Sequence, residues 1–256
     1  MAAFNLARRL RAGETVFSSW CTLASPIVAE TIAREGYASV VLDQQHGLWD
    51  TASIIAGVAA LNHAGAAPVV RVPVGDFAFV SRALDFGAEA IIAPMINTVS
   101  DARQFAGAAK YPPLGERSWG PQRAMMLQDK SVAVDYLREA NDGTLTLAMI
   151  ETVTALGNVD AIAATPGIDA LFVGPYDLST ALSGGKAQDV QAGEVARAID
   201  QICAAAKKAG KIPGIYCSNA ERGLAMAKRG FRFITVGSDF SIVREGAAAQ
   251  VKALIA

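Results

Sequence analysis

The chain has 256 residues, 52% of them hydrophobic and 18% charged, with 23 Lys plus Arg against 24 Asp plus Glu and a formal net charge of −1. With no basic run and no aromatic residues interleaved with basic ones, this balance argues against a nucleic-acid surface, and no run approaches the ~18 apolar residues that span a bilayer. A mean hydropathy of +0.29 supplies a large core and a surplus for subunit contacts.

The opening MAAFNLARRLRAGE lacks a signal-peptide core and reads as a short amphipathic helix of a cytoplasmic protein. Beyond it, short apolar runs predict strands over 16–22, 39–43, 68–72, 90–95, 144–150, 169–174, 212–216 and 231–236. Each run is nearly solid in Val, Ile, Ala, Leu or Phe, as strands buried on both faces are. Longer periodic segments between them predict helices over 26–35, 51–63, 76–86, 98–109, 154–164, 190–209, 219–229 and 240–255, several opening at a Ser, Asp or Asn that can cap. Strands alternating with helices are the mark of parallel βαβ units. Eight such pairs in this length predict an α/β chain forming one closed (β/α)8 TIM barrel over residues 1–256. An open dinucleotide-binding sheet is disfavoured, because no GxGxxG opens a helix after the first strand.

One long stretch, KYPPLGERSWGPQRAMMLQDK at 110–130, interrupts this rhythm. Its Pro112, Pro113, Gly115, Gly120 and Pro121 resist helix and Trp119 gives it something to bury, so it is expected to be a lid or an intersubunit flap, the alternative being a surface excursion. Cys21, Cys203 and Cys217 form no CxxC, which indicates neither a disulfide framework nor a zinc site and fits small buried side chains in a reduced compartment.

Four residues of complementary chemistry stand where strands end: His46 in VVLDQQHG, Arg71 in PVVRVP, Glu151 in LTLAMIET and Asp177 in LFVGPYDLS. In a (β/α)8 barrel these ends converge on one mouth. Two carboxylates facing one space repel each other unless a divalent cation joins them, and all-oxygen ligation favours Mg2+ or Mn2+, with Co2+ or Zn2+ as other candidates. The alternative is that Glu151 and Asp177 cap the helices that follow. Arg71 offers a fixed fork for an oxyanion or carboxylate, or else a cross-barrel ion pair. Asp43, three residues before His46, is placed to orient and polarise that imidazole for general-base work, although a satisfied loop histidine has the same sequence appearance. His63 precedes a glycine at a helix end and reads as structural. No lysine stands at the end of an inner strand, so a Schiff-base mechanism lacks its nucleophile.

Together LDQQHG, RVP, ALDFGAEAIIAPM, PPLGERSWGPQRA, IET and VGPYDLS resemble the metal-dependent pyruvate aldolases of the HpcH/HpaI type, in the phosphoenolpyruvate/pyruvate-barrel superfamily. The resemblance runs from about residue 4 to the C-terminus. It implies reversible aldol cleavage of 4-hydroxy-2-oxoacids to pyruvate, or a close 2-oxoacid such as hydroxypyruvate, plus an aldehyde. By the same likeness Glu151 and Asp177 hold the metal, Arg71 steadies the enolate and the Asp43/His46 pair moves the proton. Asp85 is expected to approach a neighbouring subunit's site, and backbone amides near Gly174 and Pro175 to meet the pyruvate carboxylate, in a trimer or hexamer. Two residues depart from the pattern: Met149 stands where many relatives carry Gln, and Tyr176 where Asn or Ala is commoner. Tyr216 is expected to line the aldehyde pocket or simply to pack. The competing readings are an acyl-CoA-handling lyase of the same superfamily and a non-catalytic barrel.

Overall fold

The computed structural model describes residues 4–255, so the expected opening helix is seen as Asn5–Arg11, and residues 1–3 and 256 lie outside the described residues. Eight strands, β1 (Val16–Cys21), β2 (Ser39–Asp43), β3 (Ala67–Arg71), β4 (Ala90–Ala93), β5 (Leu145–Ile150), β6 (Ala170–Val173), β7 (Ile212–Cys217) and β8 (Phe233–Val236), close in sequence order into a parallel barrel. Every predicted strand is present with ends shifted by at most two residues. The reason lies in the composition: a strand covered on both faces needs mostly apolar side chains at successive positions, and these runs have them, β1 alone burying two adjacent serines, Ser18 and Ser19.

The period of two along each strand divides those side chains between two cores. Val16, Trp20, Val41, Val69, Ile92, Leu147, Met149, Phe172 and Phe233 fill the barrel. Val40, Leu42, Val70, Ile91, Ala148, Ile150, Leu171, Val173 and Ile234 face outward and pack under the helices. Asp43 and Arg71 fall in the inward phase as the last residues of their strands, so the alternation that builds the core also aims them into the mouth.

Three helical details differ from expectation. The segment expected over 154–164 is broken at Asn158 into Val153–Gly157 and Val159–Ala163. A helix also spans Pro175–Leu182, with proline at its first position, where a missing N–H costs nothing. Finally, the 110–130 stretch is not wholly irregular: past Pro121 it forms the helix Gln122–Leu127, and Ala133–Gly143 follows.

The position of that stretch corrects the expectation of a lid. Lys110, at the end of the helix Val99–Ala109, is fully buried; its Nζ donates to the carbonyls of Asn141 and Thr144 at 2.7 and 2.6 Å and to Asp169 Oδ2 at 2.7 Å. Thr144 and Asp169 immediately precede β5 and β6, so this anchor lies at the foot of the barrel, opposite the strand ends. A connection from a helix back to the next strand must run there, and it cannot cover its own chain's mouth. Tyr111, Trp119, Tyr136 and Phe4 pack together in it, yet Trp119 remains 43% exposed.

Candidate active site

The strand ends surround a cavity of about 290 Å³, lined among others by Trp20, Asp43, His46, Arg71, Asp177 and Tyr216. Its polar centre is Asp43, which is buried. One of its oxygens accepts from Arg71 Nε at 2.8 Å and the other from Arg71 Nη2 at 2.6 Å. Trp20 Nε1 and the backbone N–H groups of Gln45 and His46 complete the set at 3.1, 3.0 and 3.3 Å. Burying an ion pair costs several kcal/mol of hydration per ion, roughly, unless such bonds replace the lost water. Below the guanidinium, its Cζ lies 4.7 Å from the Trp20 ring centroid.

This arrangement corrects the expected Asp43/His46 dyad. Asp43 grips the backbone of His46, not its ring, because Arg71, from the neighbouring strand, takes two of the carboxylate's bonds. The imidazole is exposed and lines the cavity. Arg71 is therefore ion-paired, to a carboxylate on the adjacent strand and not across the barrel, and it also lines the cavity.

Glu151 follows β5 and is buried. Its Oε1 accepts from the Met95 N–H at 2.9 Å, while Oε2 has no hydrogen-bond partner. Burial pushes its carboxyl up to about 7; the charge of Asp177 acts in the same direction, against the Met95 N–H and Arg71. Met95 reaches Glu151 from the left-handed region, at φ 54°, a conformation uncommon for a side chain of its size. Gly174 packs so close that a Cβ there would collide with the Glu151 carboxylate and approach Met149 Cε to 2.6 Å.

The capping alternative for the two carboxylates does not hold. Thr152 caps the helix after Glu151, and Asp177 sits inside the first turn of Pro175–Leu182, whose N-cap, Gly174, makes no side-chain capping bond. The expected contribution of Pro175 needs a correction too, since proline has no N–H; the donors that this helix start leaves without an intrahelical acceptor belong to Gly174, Tyr176 and Asp177. Among the described residues no group of three or more His, Cys, Asp or Glu is arranged around a metal position. Even so, the pair fits a hard cation: a buried carboxylate oxygen without a donor, beside a second carboxylate, is what such an ion relieves.

Asp85 does not line this cavity. It lies in the last turn of the helix Phe77–Phe86, toward the foot, where Arg117 Nη2 donates to it at 2.6 Å. Gly120 packs over it, a Cβ there coming within 2.8 Å of the carboxylate. Trp20, Thr22, Met95 and Ser238 are site residues that the sequence did not single out. A tryptophan at the end of β1 was the available signal, whereas Met95's conformation left none. Asp239 holds the adjoining wall by accepting from the N–H groups of Thr22 and Leu23, each at 2.8 Å.

A family model described as HpcH/HpaI aldolase/citrate lyase matches residues 17–245. A hydroxypyruvate/pyruvate aldolase of Rhizorhabdus wittichii is 37% identical over 239 residues, covering 93% of this chain and 93% of that protein. A 5-keto-4-deoxy-D-glucarate aldolase of Klebsiella pneumoniae is 36% identical over 236 residues, with 92% and 90% covered. The crystal structure of an HpcH/HpaI aldolase/citrate lyase family protein from Burkholderia cenocepacia superposes with a TM-score of 0.90 at 31% identity, covering 99% of this chain and 100% of that one.

Proposed function

The chain belongs to the HpcH/HpaI aldolase/citrate lyase family and is a carbon-carbon lyase of the pyruvate aldolase type, and from that premise we propose how its residues share the work. Enzymes of this class use a divalent metal; here Glu151 and Asp177 would hold it, with Mg2+ or Mn2+ the best match to two carboxylates. When bound, the ion supplies Lewis-acid polarisation of a 2-oxoacid. The observation that carries this assignment is the Glu151 oxygen that is buried without a donor.

Arg71 faces the negative charge that grows on the keto oxygen as C3 loses its proton. Such electrostatic support is often worth about 3 kcal/mol. Asp43 keeps the guanidinium in place through two bonds, so it is a positioning residue more than a base. His46, exposed to the cavity, moves the C3 proton directly or through water. The N–H groups of Gly174, Tyr176 and Asp177, flanking Pro175, receive the substrate carboxylate at a helix start, where an anion is favoured. Tyr216 lines the side that the aldehyde occupies.

We take the chain to be a single catalytic domain that works in the cytoplasm as a trimer or hexamer; no helix among the described residues is long and apolar enough to cross a membrane. The helix Asp239–Ile255 supports the assembly, since Phe240, Ile242, Val243, Val251, Leu254 and Ile255 are all exposed on it. In such an assembly Asp85 would serve a neighbour's site. The test is pyruvate release from a 4-hydroxy-2-oxoacid with and without chelator. Chelator-sensitive release is expected, and adduct trapping by borohydride would overturn the metal mechanism in favour of a lysine.

A further inference from the structure

The pocket carries a line of aromatic rings that the proton chemistry does not use. Trp20 lies under Arg71, with the guanidinium carbon 4.7 Å from its ring centroid. Tyr216 packs edge-on against Trp20, at 5.6 Å and 88°, and Tyr176 lies 6.0 Å beyond Tyr216 at 59°. The line therefore starts where the 2-oxoacid is anchored and ends at the rim, where Tyr176 is still 38% exposed. Met149 and Pro175 extend the same apolar wall.

Charge points the same way. Among the described residues that line the cavity, Arg71 is the sole Arg or Lys, and Asp43 already takes two of its N–H groups. Asp43 is paired with that guanidinium, and Asp177 would be neutralised with Glu151 by the dication they hold, so what remains exposed to an acceptor is the faces of the aromatic rings, which are themselves electron-rich. An aldehyde that brought a second carboxylate would meet electron-rich ring faces and no unpaired Arg or Lys among the described residues of this chain's cavity lining.

We propose that Tyr176, backed by Tyr216, determines acceptor choice, selecting an uncharged aldehyde with a flat apolar substituent over one that bears a carboxylate. The inference rests on the aldolase reading above and specifies the substrate class for the same site. Ring-on-ring contact of this kind corresponds to a factor of about three to ten in rate or affinity.

The test is condensation of pyruvate with benzaldehyde and with succinic semialdehyde, read as the ratio of kcat/KM values. The wild-type protein is expected to favour benzaldehyde, Tyr176→Ala to lower that ratio about three- to tenfold, and Tyr176→Phe, which keeps the ring, to hold it near the wild-type value. A wild-type preference for succinic semialdehyde, or an unchanged ratio in Tyr176→Ala, would overturn the proposal. Metal-dependent exchange of the pyruvate C3 protons with D2O needs no aldehyde and separates the two levels. Exchange with the wrong selectivity overturns only the acceptor assignment, whereas no exchange in the wild type overturns the aldolase roles and this proposal together.

Discussion

Asp43 and Arg71 are register partners on adjacent strands, and one carboxylate takes two N–H groups of one guanidinium, at 2.8 and 2.6 Å. The fork fixes the direction in which the remaining N–H groups point, and a lysine cannot reproduce it. Arg71→Lys should therefore lower kcat by about 10²-fold, while Mn2+ affinity, measured by calorimetry, changes only a few-fold. Equal losses in both quantities would reassign Arg71 to the metal site.

Gly174 has no room for a side chain against Glu151. Gly174→Ala should displace that carboxylate while the rest of the barrel folds. Misplacing a catalytic group by about 1 Å typically costs about 10²-fold in rate, so a loss of that order in kcat/KM is expected, with an unchanged circular-dichroism spectrum. Near-wild-type turnover would place the Glu151 carboxylate outside the chemistry.

Metal binding should register as stability, because an ion that binds only the folded state raises Tm by mass action. Saturating Mn2+ is expected to raise Tm by about 4–8 °C for roughly 2 kcal/mol of linkage, and Glu151→Gln to abolish the rise. The pH dependence has a definite sign. Glu151, pushed up to about 7, is increasingly protonated as pH falls through that value, and a protonated carboxyl is a poor ligand. Mn2+ affinity should accordingly drop by up to about tenfold per pH unit below 7.

Glu89 gives the opposite test, one of stability without ligand. It is buried before β4, its Oε2 accepts from the Leu6 N–H at 2.8 Å, and burial pushes its carboxyl from 4.5 up to about 7. Between these values the folded protein binds a proton that the unfolded chain has released, so stability falls as pH rises from about 4.5 to 7. The loss from this group is at most about 3 kcal/mol. Glu89→Gln should flatten the urea midpoint across that window, and an unaltered slope would exclude Glu89 as its source.

The barrel was legible because the eight apolar runs each needed only a covering layer, and the alternation supplied it. That His46, Arg71, Glu151 and Asp177 stand at or just past strand ends was legible for a related reason, since polar residues that follow apolar runs have few other places to go. What escaped was decided by three-dimensional competition. Asp43 has one carboxylate, and Arg71, Trp20 and two backbone N–H groups claim it, which leaves the His46 ring without it. Met95's left-handed backbone responds to an acceptor 56 residues away. Pro121 was read as a helix breaker, yet it stands as the N-cap of a helix.

Asp85 and the 110–130 stretch stand at the foot of the barrel, away from this chain's own cavity, so in the assembly proposed above Asp85 would serve another chain's site. Two inactive proteins, His46→Ala and Asp85→Ala, would then be damaged in different halves of a shared unit. Mixed after partial dissociation, they should regain about a quarter or less of wild-type turnover, whereas neither recovers when re-associated alone. Such complementation would make the functional unit of this enzyme the junction between chains.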